Sequence, residues 1–177
     1  VYPFIPIKKV SKGQNINFKL KIYKKLLDAI YPSFSVSENI IFKGIINSNE
    51  SNTQFVLDAP FIKYKENQFE KLHFEIDTKN TLFNSYLSVK NISNKYFKGK
   101  DFNLISTKLK DTLFFRSEFN GKSDSKSKFE VNFYHTAENQ GISYFGVKKS
   151  IIPIISKAWT INPENLNNQK ISYSLKN

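Results

Sequence analysis

Two histidines and 15 Asp and Glu residues are the groups of this 177-residue chain that could do acid–base work near neutral pH, and there is no cysteine. Without thiols, disulfides, thiolate zinc sites and cysteine nucleophiles are all removed, and the redox compartment stays open. His73, Glu75 and Asp77 recur at period two. On a strand they would share one face, where a His-x-Glu-x-Asp trio could hold a metal ion or act as an acid/base pair. The opposite face of the same stretch is Leu72, Phe74 and Ile76. That is the face a core takes, so the polar trio reads as the solvent side. His135 closes the Phe129 to Thr136 stretch with only Glu138 nearby and reads as a core or rim histidine. There is no Gly-x-Ser-x-Gly elbow and no glycine-rich phosphate loop, and the 6 glycines sit mostly at turns. Asn49-Glu50-Ser51 and Asn91-Ile92-Ser93 match the glycosylation sequon, as chance predicts in a chain rich in Asn and Ser. The expectation is a protein that is no enzyme and holds no cofactor or metal.

These residues must be positioned by strands, because the dominant pattern is alternation. Ile16, Phe18, Leu20 and Ile22 fall on one face, with Asn17, Lys19 and Lys21 on the other. Burying such a face is worth about 1.5–3 kcal/mol per side chain, and a one-residue slip would bury lysines instead. Lys24 to Tyr31 breaks the pattern with a short amphipathic helix that places Leu26, Leu27 and Ile30 at helical spacing, stopped by Tyr31-Pro32 and suited to plug a sheet edge. Strands then follow at Ile40 to Asn47, Thr53 to Asp58, Phe69 to Ile76, Leu82 to Ile92, Phe102 to Leu109, Leu113 to Phe119, Phe129 to Thr136, Ile142 to Val147, Ala158 to Asn162 and Ile171 to Leu175. Polar tips such as Ser48 to Asn52, Asp77 to Asn80, Lys110 to Thr112, a Ser/Lys loop after Asn120-Gly121, and Asn139-Gln140-Gly141 separate them. The pattern predicts an all-β antiparallel meander with no crossover helix, which excludes an α/β nucleotide-binding fold. Residues 1–14 read as an N-terminal extended segment and residues 15–177 as a single sheet.

Lys and Arg number 27, for a net charge of +12, and Arg116 is the sole arginine. Readers of bases and phosphates favour the guanidinium fork, and the lysines are spread along the chain, so the charge reads as a solvated surface and not as a nucleic-acid site. No apolar run is long enough for a membrane span, since Ile151 to Ile155 is broken by Pro153. The first residues lack the marks of a secretory signal, and the chain has no methionine, so it reads as a piece of a larger protein.

The segment Asp111-Thr112-Leu113-Phe114-Phe115-Arg116-Ser117-Glu118-Phe119-Asn120-Gly121, with Phe129 to His135, Tyr144 to Ser150 and Ala158 to Asn162, resembles the TamB family as found in Bacteroidetes-type bacteria. Upstream, Leu26 to Pro32 and Ile40 to Gly44 resemble the helix-to-strand passage of AsmA-like proteins, and the resemblance runs from about Asn15 to Leu175. It implies a curled sheet left open as a gutter (a β-taco) within a periplasmic part of an inner-membrane-anchored cell-envelope protein. It also implies phospholipid as cargo, a BamA-like or TamA-like outer-membrane barrel as partner of other parts of the chain, and membrane contact only through segments not present in this sequence. The residues it implies as groove lining are Phe18, Leu20, Ile22, Phe55, Leu57, Leu72, Phe74, Ile76, Leu87, Val89, Leu113, Phe115, Phe119, Phe129, Val131, Phe133, Trp159 and Ile161.

A sheet with one apolar face must cover it, either by closing into a sandwich or by laying acyl chains along it. The pattern by itself favours the closed core, and the resemblance favours the gutter. A structural or adhesive sandwich is the rival reading. A β-domain binding nucleic acid through Tyr96-Phe97 beside Lys95, Lys98 and Lys100 is a further one, against which that run reads as a turn with anchoring aromatics.

Overall fold

The computed structural model of the chain describes residues 11–38, 40–121, 128–137, 142–154, 157–167 and 170–174. Most of the expected N-terminal extended segment, the Ser/Lys loop after Gly121, the turn Asn139-Gln140-Gly141, Ile155 and Leu175 lie outside the described residues. Residues 11–14 form a turn in which Gly13 takes a φ of 84°, open to glycine without strain.

The architecture is an open, unclosed antiparallel sheet, an all-β gutter with one small helix. Its elements are β1 (Asn15–Ile22), α1 (Lys24–Ile30), β2 (Phe34–Val36), β3 (Ile40–Asn47), β4 (Asn52–Tyr64), β5 (Asn67–Asp77), β6 (Ser85–Ser93), β7 (Lys98–Leu109), β8 (Thr112–Gly121), β9 (Lys128–Ala137), β10 (Ile142–Val147), β11 (Ser150–Ile154), β12 (Lys157–Ile161) and β13 (Lys170–Ser174). The order across the sheet is β1-β3-β4-β5-β6-β7-β8-β9-β10-β13, with β2 beside β4 and β11 between β9 and β12. The sheet is therefore a meander, as alternation separated by polar tips predicts. Asn47 shapes one tip by accepting from the N–H groups of Asn49 and Glu50 through its Oδ1.

Two strands were not legible in the pattern. β2 spans only Phe34–Val36, too short to show a period. β11 contains Pro153, but its one pair with β9 is Ile151↔Glu130. Pro153 lies past that pair, along a free flank where the missing N–H is tolerated.

A crease crosses the middle of the sheet. Pro60, Lys71, Lys90 and Asp101 stand opposite one another on β4, β5, β6 and β7, and the ladder skips all four. Lys71 and Asp101 have left-handed φ angles of 50° and 53°. Lys90 and Asp101 form an ion pair across the crease, and the β7–β8 register shifts beside it. Ala59 and Ile62 pack into one cluster although they are three residues apart, so the alternation skips a step at Pro60 and the apolar side is carried past it unbroken.

The buried hydrophobics among the described residues are few: Val36, Ile40, Ala59, Val89 and Tyr134. Val36, Ile40 and Ala59 form one cluster, covered by Ile22, Leu27, Phe34, Leu57, Ile62 and Leu72. Helix α1 thus docks through Leu27 alone, while Leu26 and Ile30 stay 60% and 58% exposed. Beyond this plugged end, no second layer of described residues lies over the sheet.

Candidate functional site: an uncovered apolar face

Directly paired residues of an antiparallel ladder project to the same side, so the register fixes which side chains share a face. One row runs Leu20↔Phe42↔Leu57↔Phe74↔Leu87↔Leu104↔Ser117↔Val131 over eight strands. A second, alongside it, runs Phe18↔Gly44↔Phe55↔Ile76↔Ser85↔Ser106↔Phe115↔Phe133↔Val147. On the other flank Ile22 pairs with Ile40, Leu72 with Val89, Val89 with Phe102, and Phe119 with Phe129. Leu113, opposite His135, extends the same face.

Sixteen of the eighteen lining residues expected from the sequence lie on these rows, Phe18 through Phe133. Trp159 and Ile161 lie on β12, off the main path, opposite Ile152 and Ser150. Because Ile151 pairs with Glu130 on the polar side, alternation turns Ile152, Trp159 and Ile161 to the apolar side at the sheet margin, where Trp159 is 59% exposed. Phe42, Phe102, Leu104, Phe145 and Val147 belong to the face as well. The signal that finds them is the same period of two, but only the register tells which strands they join.

The face is built from rings. Phe18, Phe42 and Phe55 form one group, with centroids 5.2, 6.1 and 6.0 Å apart. Phe119 stacks on Phe129 at 4.5 Å and takes the edge of Phe97 at 5.8 Å. Phe115 stacks on Phe133 at 4.6 Å, and Phe133 meets Phe145 at 5.2 Å. Most of these side chains are half-buried against one another, with Ile16 and Leu20 at the β1 margin more than half exposed.

The hydroxyls that interrupt the rows are bonded from within. Ser85 and Ser106 hydrogen-bond each other at 2.6 Å, and Ser117 Oγ donates to the Val131 carbonyl at 2.8 Å. Two hydroxyls joined by one hydrogen bond use one of their two O–H groups, so the rows make only a slight polar demand on whatever touches the face. Eight inter-strand steps of about 4.8 Å give the longer row roughly 38 Å. The hydrocarbon layer of a bilayer is about 30 Å thick, so the rows exceed the depth of one leaflet.

The opposite side gathers most of the titratable groups, while Lys108 and His135, both opposite Leu113, stand on the apolar side at its margin. His73 Nδ1 lies 2.6 Å from Asp58 Oδ1, and its Nε2 lies 3.6 Å from Glu75 Oε2. Asp77 is held separately, accepting from Gln54 at 3.0 Å. No three of the described His, Asp and Glu residues are arranged to hold a metal ion. A depression of about 260 Å³ on this side is flanked by Arg116, Glu118 and Glu130. Lys128 bridges both carboxylates, at 2.8 and 3.3 Å, and its own pKa is raised, chiefly by the hydrogen bond to Glu118. Asp101 is held below the usual carboxylate range, chiefly by the hydrogen bond from Lys90. The Tyr96-Phe97 run is a turn in which Asn94 Oδ1 accepts from both backbone N–H groups, and Phe97 anchors it on Phe119.

The polar side is mixed, since Ile41, Ile45, Val56, Ile105 and Phe114 alternate onto it. The apolar side bears no Lys, Arg, Asp or Glu on either of the two complete rows. No protein-family description, no curated protein and no solved structure matches the chain.

Proposed function

We propose that this chain is a segment of a bridge-like envelope protein of TamB type, whose apolar face carries phospholipid acyl chains between the inner and outer membranes and supports outer-membrane biogenesis. The observation that carries the reading is the uncovered face itself: crosswise rows dominated by Phe, Leu, Ile and Val, free of charge, on a sheet left open. A full burial is worth about 0.8 kcal/mol per methylene, and an open face supplies roughly half of that. Ten methylenes then gain about 4 kcal/mol, a millimolar dissociation constant. Such a grip is weak enough for a tail to leave and strong enough for two tails to stay. Headgroups remain in water beside the rings, and movement requires no bond to be made or broken. The outer-membrane barrel, in this reading, meets other parts of the longer chain.

The test is photo-crosslinking in cells with a diazirine residue at Phe119 or Phe133, and at Arg116 on the opposite side as control. Lipid adducts at the first two and not at the third support the reading. Lipid-free spectra at Phe119 and Phe133, with phospholipid present throughout, would overturn it.

A further inference from the structure

Strand β1 ends the sheet, and no described residue pairs with its outer flank. The Ser48 N–H donates to the Gln14 carbonyl at 2.9 Å, and the Gln14 N–H finds Ser48 Oγ at 2.9 Å. Gln14 and Ser48 thus face each other as a hydrogen-bonding pair. At period two, Ile16, Phe18, Leu20 and Ile22 turn their backbone groups toward β3. Asn15, Asn17, Lys19 and Lys21 turn theirs outward, where no described residue pairs with them.

Natural edges are blunted by proline, by bulges, by charges pointing inward or by lysines along the edge; β1 has no proline, no bulge and no inward charge, and its Lys19 and Lys21 repel a basic strand while leaving an acidic one admissible. Its apolar side, with Ile16 and Leu20 exposed, ends abruptly in solvent. Its polar side is basic. Lys19 lies directly opposite Lys43, Lys21 is one step further along, and none of the three forms an ion pair with a described carboxylate. Asp58 is two strands from Lys21, across Ile41, and is engaged by His73.

We propose that the outer edge of β1 docks an extended segment whose side chains alternate apolar and acidic. Its backbone would complete the ladder, its apolar residues would extend the ring-lined rows by one strand, and its carboxylates would sit beside Lys19, Lys21 and Lys43. A second copy of this chain fits poorly, because β1 against β1 brings further lysines to a patch already positive. The strands at the far margin, β12 and β13, contain no Asp or Glu to offer. The inference is independent of what the apolar face carries.

The test uses the 177-residue chain and labelled octapeptides, the length of β1, alternating valine with glutamate, glutamine or lysine, read by fluorescence anisotropy. The glutamate peptide should bind about tenfold tighter than the lysine peptide, the ratio for two opposite-charge cross-strand pairs replacing two like-charge ones. Added salt should shrink that gap. Lys19→Pro removes an outward N–H while sparing the β3 ladder, and should weaken binding at least tenfold. Lys19→Glu with Lys21→Glu leaves the backbone intact and should reverse the peptide order. Equal affinity for all three peptides, no binding by any, or Lys19→Pro binding like the parent would overturn the proposal. A β1-dependent dimer lost in Lys19→Pro would also overturn it, by giving the edge to a second copy.

Discussion

Gly44 is where backbone preference and packing pull in opposite directions, so the sign of one substitution discriminates between them. It pairs with Phe18 on one side and Phe55 on the other, and both rings lie over the space its side chain would fill. A Cβ there would meet Phe18 Cε1 and Cζ at 2.5 Å and Phe55 Cδ1 at 2.6 Å. Strand propensity alone says that Gly44→Ala stabilises by about 0.5–1 kcal/mol. Packing says the reverse. The Phe18 ring must swing away, losing its contacts with Phe42 and Phe55, each worth about 0.5–1.5 kcal/mol. The balance is a net destabilisation of about 1 kcal/mol, which lowers a urea midpoint by about 0.5 M at a slope of about 2 kcal/mol/M. In a Phe18→Ala background the two closest contacts are gone and only Phe55 Cδ1 still has to give, so Gly44→Ala should cost less than in the parent, with a coupling of about 1 kcal/mol in the double-mutant cycle. A raised midpoint for the single substitution, or no coupling, would refute the idea that rings laid over a glycine shape this face.

Three further outcomes follow from other contacts. Leu27→Ala should cost about 1–2 kcal/mol in urea unfolding because Leu27 packs on the Val36, Ile40 and Ala59 cluster, whereas Leu26→Ala should stay within about 0.5 kcal/mol. Asn162 has a φ of 50°, donates to the carbonyls of Val147 and Leu166 and accepts from the Leu166 N–H. Asn162→Ala should cost about 2–3 kcal/mol and deprotect the Leu166 amide in hydrogen exchange, with Asn162→Gly costing less because the left-handed backbone is retained. The lowered pKa of Asp101 means its ionised form is favoured on folding, so its contribution is complete above the ordinary aspartate value and fades as pH falls through the lowered one. Lys90→Gln should move the carboxyl titration back upward when followed by carbon NMR, and an unmoved titration would reject the assignment.

The sequence made the meander legible because alternation needs no partner to be seen. Leu72, Phe74 and Ile76 announce a face wherever their strand pairs. What period two cannot supply is register, and the face of this molecule is a property of register. Phe42 and Leu104 carry the same pattern as their neighbours, but their place between Leu20 and Leu57, and between Leu87 and Ser117, exists only across strands. The sequence pattern ended the Thr53 strand at Asp58, yet β4 continues to Tyr64. Pro60 sits on the crease, where the ladder has no bond for it to break. The polar trio of β5 stands apart from the rows, as its alternation implied, but its pairing of His73 with Asp58 came from the adjacent strand and left no mark in local spacing.

The crease also bears on how an apolar face can be both continuous and uncommitted. A strict alternation through β4 to β7 would turn the rows to the wrong side once the strands twist past Pro60, and the skipped step returns Ile62, Phe69 and Ile92 to the side of Leu57, Leu72 and Val89. The hydroxyls of Ser85, Ser106 and Ser117 bond one another or the backbone, and the two long rows carry no carboxylate or lysine, Lys108 and His135 standing at the margin beside Leu113. A surface this poor in donors and acceptors cannot reject one hydrocarbon in favour of another, since strong discrimination comes from buried polar groups that only the right ligand satisfies. Whatever selects the molecules that meet these rings must therefore act from the rim, where the lysines of β1 and the polar side of the sheet begin.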